Sequence, residues 1–160
     1  MLTDLVNRSQ SLASDAKVLV LGGGYCGGHV TRLLRALGTT VRCSRRSLSS
    51  PGADLIFDST AGLIPTSSDL DGITHVLSTI PPTTEGHDPV LTHLGSQLKE
   101  RSLTWVGYLS TTGVYGDQQG RWVSEDDPAN PGQPRSQRRH ACEQAWLDSG
   151  LPVQILRLPG

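Results

Sequence analysis

Lys17-Val-Leu-Val-Leu-Gly22-Gly-Gly24-Tyr-Cys-Gly27 joins a five-residue apolar strand to a glycine run spaced G-x-G-x-x-G. A helical pattern follows at once, with Val30, Leu33, Leu34 and Leu37 at i, i+3, i+4 and i+7. Strand, glycines and amphipathic helix in that order are the context in which the motif means dinucleotide binding. Gly22 makes the tight turn, Gly24 lets backbone approach a pyrophosphate, and Gly27 lets the helix pack close to the strand. Tyr25 and Cys26 complete the predicted cradle, where free amides and the helix dipole favour phosphate.

The second predicted strand ends in Ser44-Arg45-Arg46-Ser47. An NAD-specific fold usually places an Asp or Glu there, about 20 residues after the loop, to bond the ribose hydroxyls. A carboxylate would repel a 2′-phosphate, whereas Ser44 and the guanidinium groups of Arg45 and Arg46 can bond one. The expected cofactor is therefore NADP, with NAD the lesser alternative; a solvated basic turn is the competing reading.

The chain has 160 residues, net charge −1 and 36% hydrophobic residues, the length of about one domain. Neither disorder nor a polyelectrolyte partner is suggested, and no nucleic-acid or membrane partner is expected. No apolar run reaches the roughly 18 residues that span a bilayer, and Met1 to Ala16 lacks the apolar centre of a secretory signal. Cys26, Cys43 and Cys142 are odd in number and lack C-x-x-C spacing, which argues against a disulfide framework or a zinc site and for a reducing, cytoplasmic compartment. Five histidines without metal-ligand spacing lead to the same expectation of no metal.

Strand and helix signals alternate along the chain. Strands are predicted near 17–21, 40–44, 54–57, 74–79, 104–109 and 153–158, and helices near 26–37, 89–101 and 137–148. Residues 1–16 read as a weakly helical lead-in and 17–160 as one domain. Asp88 and Pro89 punctuate the second helix, Ser68 to Leu70 suits a single turn, and the polar stretch from Tyr115 to Pro134 reads as a functional loop or lid. The predicted architecture is α/β, a doubly wound parallel sheet in the order 3-2-1-4-5-6. Its carboxyl edge would gather the glycine loop, Ser44 to Arg46, Asp58, Ser78 to Pro82 and Ser110 to Tyr115.

Trp105 to Asp117, with Ser110-Thr-Thr-Gly-Val-Tyr-Gly116 at its centre, resembles the S-S-x-x-V-Y-G segment of the extended short-chain dehydrogenases/reductases, the nucleoside-diphosphate-sugar epimerases and dehydratases. Val123-Ser-Glu125 with Pro128 and Pro131, Glu143-Gln144, and Leu156-Arg157-Leu-Pro-Gly160 are similar to further stretches of that family. The resemblance implies that Thr111 holds the active-site hydroxyl, that Asp58 meets the adenine amino group, and that Thr79, Ile80 and Pro81 line the ribose and pyrophosphate pocket. Packing at a strand end is the other reading of Thr111. The resemblance also implies a small-molecule or sugar-nucleotide substrate, allows a homodimer, and implies a substrate lobe that does not appear by Gly160.

The family's Tyr-x-x-x-Lys pair falls on Arg135 and Arg139. Arginine is charged at any ordinary pH and makes a poor proton-transfer group. Arg135, Arg138 and Arg139 crowd a predicted helix start, where cations are disfavoured; they either hold a phosphate or carboxylate or form a solvated basic surface beside Glu125, Asp126 and Asp127. Two functions stay open: an atypical NADP-dependent oxidoreductase or epimerase-like enzyme in which Thr111 and Arg139 serve catalysis, and a non-catalytic NADP-binding sensor or scaffold.

Overall fold

In a computed structural model, which describes residues 2–159, six parallel strands form one sheet in the order β3-β2-β1-β4-β5-β6. The strands are β1 (Lys17–Leu21), β2 (Thr40–Arg45), β3 (Leu55–Ile56), β4 (His75–Ser78), β5 (Trp105–Thr111) and β6 (Val153–Leu158). The predicted α/β architecture and strand order are observed. Met1 and Gly160, which close the predicted segments and the sixth-strand resemblance, lie outside the described residues.

β1 shows why the sheet is buried on both sides. Val18 and Val20 pack into a cluster with Val41, Cys43 and Leu77, which Val30 and Leu34 of α2 (Tyr25–Ala36) cover. Leu19 and Leu21 point the other way, into the larger core built with α3 (Pro89–Lys99) and α4 (Pro134–Leu147). Alternate residues of one strand thus serve two apolar layers, and the strand reads as continuous hydrophobic sequence.

Helix ends follow their capping chemistry. Asp88 Oδ1 accepts from the backbone N–H of Val90 and of Leu91, each at 2.9 Å, and Pro89 fills the first helical position of α3. Pro134 does the same for α4, which begins three residues before the predicted start at 137. The lead-in contains α1 (Leu2–Arg8), a short helix with no buried residue.

Two local features bear on the site, the second including the single turn predicted at Ser68 to Leu70. β5 continues through Thr111 and runs into a one-turn 3-10 helix at Thr112–Tyr115, where Thr111 Oγ1 accepts from the Gly113 N–H at 3.1 Å. The link between β3 and β4 contains a reciprocal backbone bridge between Asp58 and Leu63 and a 3-10 turn at Ser67–Leu70, capped by Thr66 and Asp69. Among the described residues no helix is long and apolar enough to cross a membrane.

Candidate dinucleotide cleft

β1 ends at Leu21, and Gly22 turns the chain with φ of +99°. Two neighbouring strands then fix the loop. On the β2 side the buried Ser44 hydroxyl accepts the Gly22 N–H at 2.9 Å, and the Ser44 carbonyl accepts the Gly23 N–H at 2.7 Å. On the β4 side the Thr79 hydroxyl donates to the Gly22 carbonyl at 2.5 Å, and the Thr79 N–H donates to Leu21 O at 2.9 Å. Side chains are excluded for steric reasons: a Cβ on Gly22 would stand 2.6 Å from Thr79 Oγ1, and one on Gly27 would stand 2.1 Å from Gly22 O. Gly23, which the motif leaves free, is equally closed, with Cys43 Sγ 2.6 Å from its hypothetical Cβ. Above Gly24 there is open space.

That space belongs to a cleft of about 580 Å3 over the carboxyl ends of β1, β2 and β4. Gly22, Gly24, Ser44, Arg45 and Arg46 line it, together with Asp58, Thr60, Thr79, Ile80 and Pro81. Tyr25, Cys26 and Gly27 do not line it. Tyr25 projects outward at 83% exposure with its ring against His29, Cys26 is half-buried, and Gly27 is buried behind Gly22. Thr111 and Arg139 likewise lie outside the lining residues.

The charged groups of the cleft are unevenly paired. Arg45 lies against the glycine loop, with its Nε buried and without a hydrogen-bond partner. No ion pair engages Arg45 or Arg46 among the described residues. Asp58 Oδ1 accepts from the Thr60 hydroxyl at 2.5 Å and from the Thr60 and Ala61 amides, and the Thr60 hydroxyl foremost holds this carboxyl below the ordinary aspartate value. The local turn thus occupies that oxygen. Cationic side chains, an open backbone at Gly24 and a helix N-terminus together fit a dinucleotide.

Beside the cleft, Arg139 reaches back from α4. Its Nη1 donates to Leu109 O at 3.0 Å, to the Tyr108 hydroxyl at 3.1 Å and to Ile80 O at 3.4 Å. The predicted anion-holding role would have to use its other nitrogens. Tyr108 is fully buried, and burial pushes its phenol above the ordinary tyrosine value. A Tyr–Arg contact of this kind ties β4, β5 and α4 together and does not supply a titrating phenol. Ser136 stands near Thr111, because a Cβ on Gly113 would meet the oxygens of both, at 2.8 and 3.4 Å.

A second polar group went unread in the sequence. Glu143 is completely buried and receives Arg157 Nε at 3.1 Å and Nη2 at 2.8 Å, the Ser110 hydroxyl at 2.5 Å, and His140 Nδ1 at 3.3 Å. Burial alone would raise this carboxyl, but the Arg157 guanidinium and the Ser110 hydroxyl bring it below the ordinary glutamate value. Arg157 also donates to the Tyr115 hydroxyl at 2.8 Å and stacks 4.8 Å over its ring. The signal available in the sequence was the pair of a helical glutamate and a strand arginine, which only the fold brings together.

No family model matches the chain, and no curated protein matches it. Solved structures do. A conserved protein of unknown function from Silicibacter pomeroyi is 37% identical, with a TM-score of 0.78 over 89% of this chain and 52% of that one. A proposed NAD-dependent epimerase/dehydratase from Methylobacillus flagellatus is 26% identical, with a TM-score of 0.69 over 90% of this chain and 54% of that one. A short-chain dehydrogenase/reductase superfamily protein from Agrobacterium tumefaciens with bound NAD is 21% identical, with a TM-score of 0.67 over 88% and 48%, a likeness of fold alone. The chain thus spans about half the length of the structures it resembles. Its sheet order and glycine loop, with these likenesses, give the chain a Rossmann-like α/β fold similar to that of the epimerase/dehydratase and short-chain dehydrogenase/reductase structures.

Proposed function

We propose that the cleft binds NADP and that the chain is the cofactor-binding part of an atypical oxidoreductase or epimerase-like enzyme. The observation that carries the choice of cofactor is that Arg45 and Arg46, without an ion pair among the described residues, line the cleft at the end of β2, where an NAD-binding fold would hold a carboxylate. Gly24 gives the pyrophosphate its approach, and the N-terminal amides of α2 face it. Asp58 would meet the adenine amino group, and Thr79, Ile80 and Pro81, which also line the cleft, would face the ribose and pyrophosphate. The bound cofactor would supply hydride transfer at its nicotinamide ring. Thr111 would direct its hydroxyl to a substrate oxygen, and Arg139 would hold the β4 and β5 exits in place beside it. A small molecule such as a sugar nucleotide is the substrate class that suits this reading; the structures resembled include one in complex with UDP-glucose and NAD.

Titration with NADPH and NADH tests the assignment: NADPH is expected to bind tighter by about tenfold, or 1.4 kcal/mol. Replacing Arg45 and Arg46 together with Ala should remove that preference. Equal affinities in the unaltered protein would refute the NADP assignment.

A second reading is favoured by a separate observation. Arg135 and Arg139 occupy the places where the family resemblance puts its proton-transferring tyrosine and lysine, and the nearest phenol, Tyr108, is buried. A non-catalytic NADP-binding sensor or scaffold needs neither residue. Single-turnover oxidation of bound NADPH by sugar-nucleotide or carbonyl compounds separates the two readings, since a scaffold shows none.

A further inference from the structure

Thr111 ends β5, and its hydroxyl oxygen accepts the Gly113 N–H at 3.1 Å. The hydroxyl proton meets no protein acceptor among the described residues. Arginine stands at both places where the family resemblance puts its proton-transferring pair, so the enzymatic reading depends on this one donor.

The chain on either side of Thr111 is held by a single buried ion pair. On the near side, Ser110 is buried and donates its hydroxyl to Glu143 Oε1 at 2.5 Å. On the far side, Tyr115 closes the one-turn 3-10 helix, is buried, and receives Arg157 Nη1 on its hydroxyl at 2.8 Å. Between them Arg157 grips Glu143 twice, Nε to Oε1 at 3.1 Å and Nη2 to Oε2 at 2.8 Å. A guanidinium is planar and its donors point in fixed directions. Once Nε and Nη2 are locked on the carboxylate, the direction of Nη1 is set, and with it the place of the Tyr115 hydroxyl. Neither Glu143 nor Arg157 lines the dinucleotide cleft. A core that needed only filling would be served as well by an apolar pair, which carries no cost of desolvating charge.

We infer that Glu143 and Arg157 are positioning residues, one buried pair that grips residues 110–115 at both ends and sets where the Thr111 hydroxyl stands. The inference rests on the reading of Thr111 as the donor to a substrate oxygen.

Hydrogen exchange at the Gly113 amide, which is bonded to Thr111 Oγ1, reads the turn directly. Ser110→Ala and Tyr115→Phe keep the ion pair and each release one end. Each should speed exchange at Gly113 about tenfold beyond any change at Val20 and Leu77, whose amides report the centre of the sheet. Arg157→Lys, a point charge in place of a fork, should loosen Gly113 as well. With NADPH and 9,10-phenanthrenequinone as the carbonyl probe, the same three variants should lose about tenfold in kcat at unchanged NADPH affinity. Should Tyr115→Phe melt too early to study, Ser110→Ala, which removes one hydroxyl, carries the test. Exchange at Gly113 that rises only in step with Val20 and Leu77 makes the pair a filler of the core and overturns the inference, with the Thr111 reading intact. A loosened Gly113 with full kcat, in a protein that Thr111→Val inactivates, does the same. An unaltered protein with no turnover, or a Thr111→Val protein as fast as the unaltered one, overturns the Thr111 reading, and the inference falls with it.

Discussion

Gly24 and Gly27 lie three residues apart and need the absence of a side chain for different reasons. A methyl on Gly27 would enter the space of Gly22 O, so Gly27→Ala should destabilise the fold by about 1–3 kcal/mol, the range for overpacking. A methyl on Gly24 meets no atom within 4 Å. Gly24→Ala should therefore melt like the unaltered protein while losing dinucleotide affinity, and a melt paired with a titration checks both outcomes. Glu143 gives a prediction in pH. Its carboxyl is held below the ordinary glutamate value in the folded state, so its stabilisation is present above pH 4.5 and is lost as pH falls through the lowered value. Glu143→Gln should flatten the acid limb of the stability curve. Glu143→Ala, which leaves Arg157 without its buried partner, should cost about 3–5 kcal/mol at neutral pH. The spacing of the glycines was legible because each one answers to atoms within a few residues or on the next strand. The role of Glu143 was not, since its partners Ser110 and Arg157 lie 33 and 14 residues away and meet it only across the β5–β6–α4 packing.

Among the elements, α3 shows how far local chemistry reaches. Asp88, Pro89 and the leucine spacing fix its start and buried face, and the structure begins it where the sequence reading placed it. The same Asp88 does a second, non-local job: Oδ2 accepts from the Trp146 indole N–H on α4 at 2.9 Å. Asp88→Ala removes a cap and strands a buried indole, and should lower stability by about 2–3 kcal/mol in denaturant unfolding. Asp88→Asn, which keeps one of the two acceptor oxygens, should lose less, because it holds either the cap amides or the indole but not both. β5 is less transparent. Its extension to Thr111 depends on pairing with Leu158 of β6, a register that no property of residues 104–111 reveals. The early start of α4 at Pro134 was signalled by the proline itself, yet the polar run before it masked the boundary. Gln119, at φ of +53°, and Gly120 bend the loop between Tyr115 and Pro134, and Arg121 braces it to Asp127 at 3.3 Å and to Gln118 at 2.6 Å. That segment, which the sequence reads as a functional loop or lid, is a connection with hydrogen bonds of its own.

For the molecule as a whole, strand order followed from alternation and from the rule that ligand loops gather at one edge of a parallel sheet, so most of the cleft was legible before any coordinates. The place of Ser50 in its lining was not, because that residue reaches the cleft through backbone bonds to β2 that hydropathy does not encode. Binding should register globally: NADPH at 100 times its dissociation constant stabilises the folded state by about 2.7 kcal/mol. At this chain length each kcal/mol raises the melting midpoint by roughly 2–4 °C, so NADPH should shift a melting curve visibly more than NADH at equal concentration. The clamp on Gly22 and Gly23 by Ser44 and Thr79 also bears on time. A loop already fastened to strands on both sides has no rearrangement to complete when an anion arrives. Capture should then be a single-exponential event whose rate rises linearly with cofactor and saturates nowhere in a stopped-flow trace. Added salt should slow it by screening Arg45 and Arg46. The glycine loop behaves as a mould set before casting, and the waiting time for a ligand is spent in solution, not in the protein.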